Sequence, residues 1–111
     1  MIYNIYVAEA ARLDLKGSVD YIKFQLNNRQ AAVNLMREAN EAFHSLAHMP
    51  ERYRLVGDMV LASWGIRYTQ VKNYFVFYTV SPQTATVHII RFLYAKSDWA
   101  FILRNSYLPE A

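Results

Sequence analysis

The 111-residue chain contains no cysteine. That removes a disulfide framework and any thiolate metal site, and it fits a reducing compartment, so the expected location is the cytoplasm. Glycine occurs only at positions 17, 57 and 65, too far apart for a phosphate-cradling loop or a nucleophile elbow. No apolar run approaches the roughly twenty residues that cross a bilayer. Met1–Val7 gives way at once to charged residues, so neither a signal peptide nor a membrane partner is expected. His44 and His48 stand four apart, but Ser45 holds the place of the glutamate in a zinc-binding H-E-x-x-H, and no third ligand is evident. No metal and no cofactor is expected.

What is present is apolar and aromatic. A hydrophobic share of 54% excludes a disordered chain, and the length suits one domain spanning residues 1–111 but not two. The formal charge is +3 and unevenly placed. Residues 1–50 hold five basic and five acidic side chains, whereas residues 51–111 hold seven basic and four acidic. The excess therefore lies in the second half, a bias that points towards a polyanionic partner.

Residues 65–94 form the most informative stretch. Tyr74–Val80 is almost wholly aromatic and β-branched, the composition of a strand buried on both faces. Thr86–Tyr94 is a second such run, and Ser81-Pro82-Gln83-Thr84 between them reads as a turn. Gly65–Val71 is a third, joined through Lys72-Asn73, so a meander of three antiparallel strands is predicted. Ahead of it, Ile2–Val7 alternates as an opening strand. Two amphipathic helices follow, over 8–26 and 29–48. The first carries the apolar stripe Ala8, Ala11, Leu15, Val19, Ile22 and Leu26, with Gly17 inside it. The second carries Ala32, Leu35, Ala39, Ala42, Phe43 and Leu46. Asn27-Asn28 separates the two and supplies a cap.

Met49-Pro50 ends the helical pair, and Glu51–Asp58 reads as an ordered loop. Met59–Ser63 fits either a strand start or a helical turn. Trp99–Leu103 fits a last helical turn capped by Asp98. The expected class is α+β in the order β-α-α-β-β-β, with the helical hairpin on one face of an antiparallel sheet and the other face partly open.

Arg67 and Arg91 sit inside strands, where an unpaired guanidinium costs several kcal/mol. Each must face solvent, a carboxylate or a transient anion. With Arg52, Arg54, Lys72, Lys96 and Tyr94 they make a basic, aromatic set, and Glu51 lies nearby. Metal-free RNA cleavage needs a base for the 2′-hydroxyl, cations for the phosphate charge and an acid for the leaving oxygen. Glu51 suits the base, and the two strand arginines suit the phosphate. Tyr94 suits base stacking or proton donation. The alternative is a basic sheet surface that docks an acidic protein segment. The nuclease reading requires both guanidinium groups to be available. Either one locked to an acid on the helical side would remove it.

The ordered set Ala11, Asp14-Leu15, Asp20-Tyr21-Ile22, Ala31-Ala32, Leu46, Pro50, Gly65-Ile66-Arg67, Asn73–Tyr78, Ile90–Tyr94 and Asp98-Trp99 resembles the RelE/ParE superfamily of bacterial type II toxins. The resemblance implies a toxin neutralised by a cognate antitoxin. In the RelE and YoeB branches it implies cleavage of mRNA on the ribosome, with Arg67 and Arg91 on phosphate, Tyr94 as the terminal tyrosine and Glu51 in the loop of a catalytic glutamate. Arg52, Arg54, Lys72 and Lys96 would then contact RNA. YoeB-like members carry a histidine before the last tyrosine, where this chain has Leu93. Period-two alternation places His88 on the face opposite Leu93. In the ParE branch the resemblance implies inhibition of DNA gyrase without nuclease chemistry. An aromatic sheet covered on one side would expose Tyr68, Tyr74, Phe75, Trp99 and Phe101 to the antitoxin, unless the 99–103 segment folds back over it.

Overall fold

A computed structural model describes residues 1–107 and Pro109. Strand β1 (Asn4–Val7) leads into α1 (Glu9–Asp20), whose end widens into a π-helical turn over Tyr21–Gln25. Asn27 adopts a left-handed conformation at φ 50°, a state asparagine tolerates. The Asn28 side chain accepts from the Ala31 N–H at 3.0 Å and starts α2 (Arg29–Ser45). A 3₁₀ turn at Pro50–Arg52 and a loop lead to the short α3 (Met59–Ser63), capped by Asp58. Then come β2 (Arg67–Val71), β3 (Tyr74–Ser81), β4 (Thr86–Tyr94) and α4 (Trp99–Ser106), capped by Asp98 as its side chain predicts.

The sheet order is β1-β4-β3-β2. The last three strands form the expected antiparallel meander, but β1 joins β4 in parallel, so the sheet is mixed. A strand's own sequence does not specify which edge it will join, and an N-terminal strand followed by a helical pair can reach either.

One face of the sheet receives the helical pair. Leu15 of α1 and Leu35 and Phe43 of α2 pack there with Val76, Tyr78 and Phe92. Ala11, Leu15, Ala32, Leu35, Ala39, Phe43 and Leu46 of the stripes read from helical spacing are buried, because a 3.6-residue period aligns them on one side, whereas Leu26, beyond the π-helical turn, is exposed. The second face is covered over part of its area by α3, α4 and the loop before α3. Phe77 and Leu93 pack there with Val56, Leu61, Ile66 and Leu103. The segment beginning at Trp99 therefore does fold back over the sheet, which corrects the expectation of helices on one side only.

A β-bulge changes the facing of β4. Tyr78 lies opposite Ile89 and Phe77 opposite Arg91, leaving Ile90 as an extra residue. Val87 and Ile89 point to the helical pair, whereas Ile90 and Leu93 belong to the second core. His88, lying between Val87 and Ile89, therefore shares a face with Leu93, the reverse of what strict alternation predicts.

Candidate functional site

The two strand arginines do not meet. Arg67 is paired in register with Tyr78 of the helix-side core, and Arg91 with Phe77 of the second core. Residues opposite one another across a ladder share a face, and Tyr78 and Phe77 are neighbours on one strand. The two arginines thus start from opposite faces of the sheet.

Arg91 is also fully engaged. Its Nε donates to Asp14 Oδ2 at 2.6 Å, one terminal nitrogen donates to Asp14 Oδ1 at 2.9 Å, and the other to Ser106 Oγ at 2.9 Å. Asp14 Oδ2 further accepts from the Phe92 backbone N–H at 3.1 Å. Both side chains are about four-fifths buried. The Asp14 hydrogen bonds hold the Arg91 pKa above its ordinary value despite partial desolvation. β1 ends at Val7, so beyond its pairing with Ile89 the edge of β4 lacks a strand partner. Asp14 fills that place, joining α1 to the β4 edge and to α4.

Arg67 serves the loop after α2. One of its terminal nitrogens donates to the Tyr53 carbonyl at 2.7 Å and to the Glu51 carbonyl at 3.4 Å, and the other lies 3.7 Å from Glu51 Oε2. Beneath it the buried Tyr78 hydroxyl donates to the Pro50 carbonyl at 2.6 Å. Desolvation pushes the Tyr78 pKa up to about 12, opposed by the charges of Arg67 and Arg52. Arg52 caps the end of α2, donating to the carbonyls of Ser45, His48 and Met49 and lying over the Tyr53 ring. The Tyr53 hydroxyl has hydrogen bonds to Thr69 and Arg52, which hold its pKa below the usual phenol value. Arg54 donates to the Tyr68 hydroxyl at 3.0 Å. Four expected site residues, Glu51, Arg52, Arg54 and Arg67, thus cluster at the β2 edge.

The other expected site residues lie elsewhere. Tyr94 is opposite Tyr74, four residues along β3 from the Tyr78 that faces Arg67, a step of about 13 Å along the strand. Lys72 is paired with Glu38 of α2 at 2.9 Å. Lys96 is exposed in the turn after β4. Of the aromatic set, Tyr68, Phe75 and Trp99 pack with Phe77 on the second face. Tyr74 lies on the helix side, stacked on Phe92 at 5.0 Å, and Phe101 is exposed on α4. These five residues do not form one surface.

Arg52, Arg54 and Arg67 thus sit together in and beside the loop after α2, next to His48 just past the end of that helix. The family model described as the ParE toxin of the type II toxin–antitoxin system parDE matches residues 5–99. The chain belongs to the ParE toxin family. The fold of this toxin is similar to a chain from the chromosomal ParDE system of P. aeruginosa, with a TM-score of 0.69 at 14% identity, over 86% of this chain and 98% of that one. It is also similar to a chain from the RelBE2 toxin–antitoxin complex of Mycobacterium tuberculosis, with a TM-score of 0.59 at 18% identity, over 86% and 95%. Sequence comparison with curated proteins finds no match.

Asp14, Tyr53 and Tyr78 were not among the residues expected at a site. Tyr78 left a legible signal, since a phenol inside a buried strand needs an acceptor. Asp14 left none, because its partner stands 77 positions away.

Proposed function

We propose that this toxin acts by binding DNA gyrase, without cutting nucleic acid, and that a cognate antitoxin neutralises it. The observation that carries this reading is the placement of Arg67 and Arg91 on opposite faces, with Arg91 chelated by Asp14 and Ser106. A cutting site would need both cations on one phosphodiester, with base and acid within about 3 Å of the reacting atoms. Leu93, at the position of the YoeB-branch histidine, and the match to a ParE family model support the same reading.

The competing reading keeps Glu51 as base, Arg67, Arg91 and Tyr94 as catalytic residues, and ribosome-bound mRNA as substrate. It is favoured by the exposed Glu51 carboxylate beside Arg67. Two assays on the purified toxin separate the readings. Gyrase supercoiling should fall with added toxin, and toeprinting on a translated message should show no new ends. New mRNA ends that vanish in Arg67→Ala, with supercoiling intact at saturating toxin, would establish the nuclease instead.

A further inference from the structure

We propose that the outer edge of β1 pairs with the same edge of a second copy of this chain, making a weak two-fold dimer centred on Tyr6. The Asn4 and Ala8 N–H groups donate to the Ala85 and Ile89 carbonyls at 2.8 and 2.9 Å. Those bonds turn the backbone of residues 4, 6 and 8 towards β4. Alternation along the strand turns Tyr3, Ile5 and Val7 the other way. Tyr3 donates outwards to the Ala47 carbonyl at 2.9 Å, whereas Ile5 and Val7 have no backbone partner on that side among the described residues. β1 is an outermost strand, so two N–H groups and two carbonyls are left facing outwards.

Such an edge recruits another strand unless charge, proline, a bulge or shortness blunts it. Residues 1–8 contain no charged side chain and no proline. The ladder to β4 runs unbroken from Asn4–Thr86 to Val7–Ile89, so no bulge twists the edge away. Only the four-residue length of β1 restrains it. An uncharged edge also offers nothing to an acidic or basic partner segment, while a second copy needs only the backbone and Tyr6.

The spacing of the free groups sets the register. Closed two-fold symmetry makes the pairing antiparallel. In an antiparallel pair, opposed residues alternate between pairs that exchange both hydrogen bonds and pairs that exchange none. Ile5 against Val7 of the second copy, and the converse, satisfies every free group on both chains. Tyr6 then lies opposite its own copy on the axis, with the two Cα atoms about 4.5 Å apart. Tyr6 is 58% exposed on the second face of the sheet, where the His88 ring meets it edge-on at 5.6 Å. Pairing covers both phenol rings and joins the two sheets into one of eight strands. The Tyr3–Ala47 bond closes the seam at one end and the start of α1 at the other. So short a seam falls below the roughly 1,200 Å² of a stable interface, which makes the dimer reversible.

Sedimentation equilibrium of the purified toxin, from about 10 μM to about 1 mM, tests this. The wild type should pass from monomer towards dimer as concentration rises. It should do so more readily in high salt, because two chains of net charge +3 repel each other. Tyr6→Lys and Tyr6→Glu each set like charges across the axis, and each should weaken association at least about tenfold. An equimolar mixture of the two variants should dimerise again, since Lys then faces Glu. A wild type that stays monomeric throughout would overturn the proposal, as would single variants that dimerise like the wild type. A mixture that remains monomeric would overturn it too, by removing Tyr6 from the axis. A monomeric toxin whose β1 edge instead takes a strand of the protein from the adjoining reading frame, with Tyr6→Lys blocking it, would also overturn it. None of these outcomes bears on the gyrase reading, which the supercoiling assay tests separately.

Discussion

At the scale of single residues, two buried polar contacts carry measurable stability. Removing the carboxylate in Asp14→Ala leaves the Arg91 guanidinium largely desolvated and without its bidentate partner. The expected loss is about 3 kcal/mol in urea unfolding. Asp14→Ala combined with Arg91→Leu should cost less than the two single changes added, because no orphan charge remains. Tyr78→Phe should cost about 1–2 kcal/mol by leaving the Pro50 carbonyl without its donor. Its pH dependence is separate. The Tyr78 pKa is raised from 10.0 to about 12 in the fold, so above pH 10 the unfolded chain loses a proton that the folded chain keeps. The wild-type protein should therefore lose stability from pH 10 towards pH 12, at up to about 1.4 kcal/mol per unit, and Tyr78→Phe should show a flatter alkaline limb. That Arg91 needs a partner was legible in the chain, since desolvation forbids leaving it bare. Which partner it takes was not, because a pairing between a helix and a distant strand depends on register that only the assembled sheet defines.

At the scale of elements, local chemistry was read well where the signal was local. Asn28 and Asp98 cap the helices their positions suggest, and the second stripe and the Ala11–Leu15 part of the first are buried as their spacing requires, while Leu26 is exposed. The ambiguous 59–63 stretch is settled as a helix by the Asp58 carboxylate, which accepts from Leu61. The facing of β4 beyond Ile89 was misread because one bulged residue inverts all later alternation. The role of Arg52 was missed for a related reason. Three carbonyls at the end of α2 converge on a side chain several residues further on. Arg52→Ala should cost about 1 kcal/mol and raise amide exchange around residues 45–53 without changing the sheet. Trp99→Ala should be more severe. It uncovers Phe75 and Phe77, and a loss of about 3–5 kcal/mol, measured by thermal unfolding, is expected from the cavity and the exposed rings.

At the scale of the whole molecule, the basic surplus and the aromatic sheet point towards a polyanionic partner, but the arrangement of side chains shows where much of that charge is spent. Arg67 and Arg52 secure the loop after α2, Arg91 secures the β4 edge, and Lys72 ties the β2–β3 turn to α2. Much of the positive charge in the second half thus braces the fold, which composition cannot reveal. Deleting residues 1–7 would strip β1 from β4 and leave a hydrophobic strand edge bare. The truncated chain is expected to self-associate through that edge, visible as a shift to larger species in size-exclusion chromatography. The parallel seam from Asn4–Thr86 to Val7–Ile89 also sets a clock on synthesis. The first strand to emerge from the ribosome must wait for the last to appear before the sheet can close, so no chain shorter than about four-fifths of its full length can form the complete sheet.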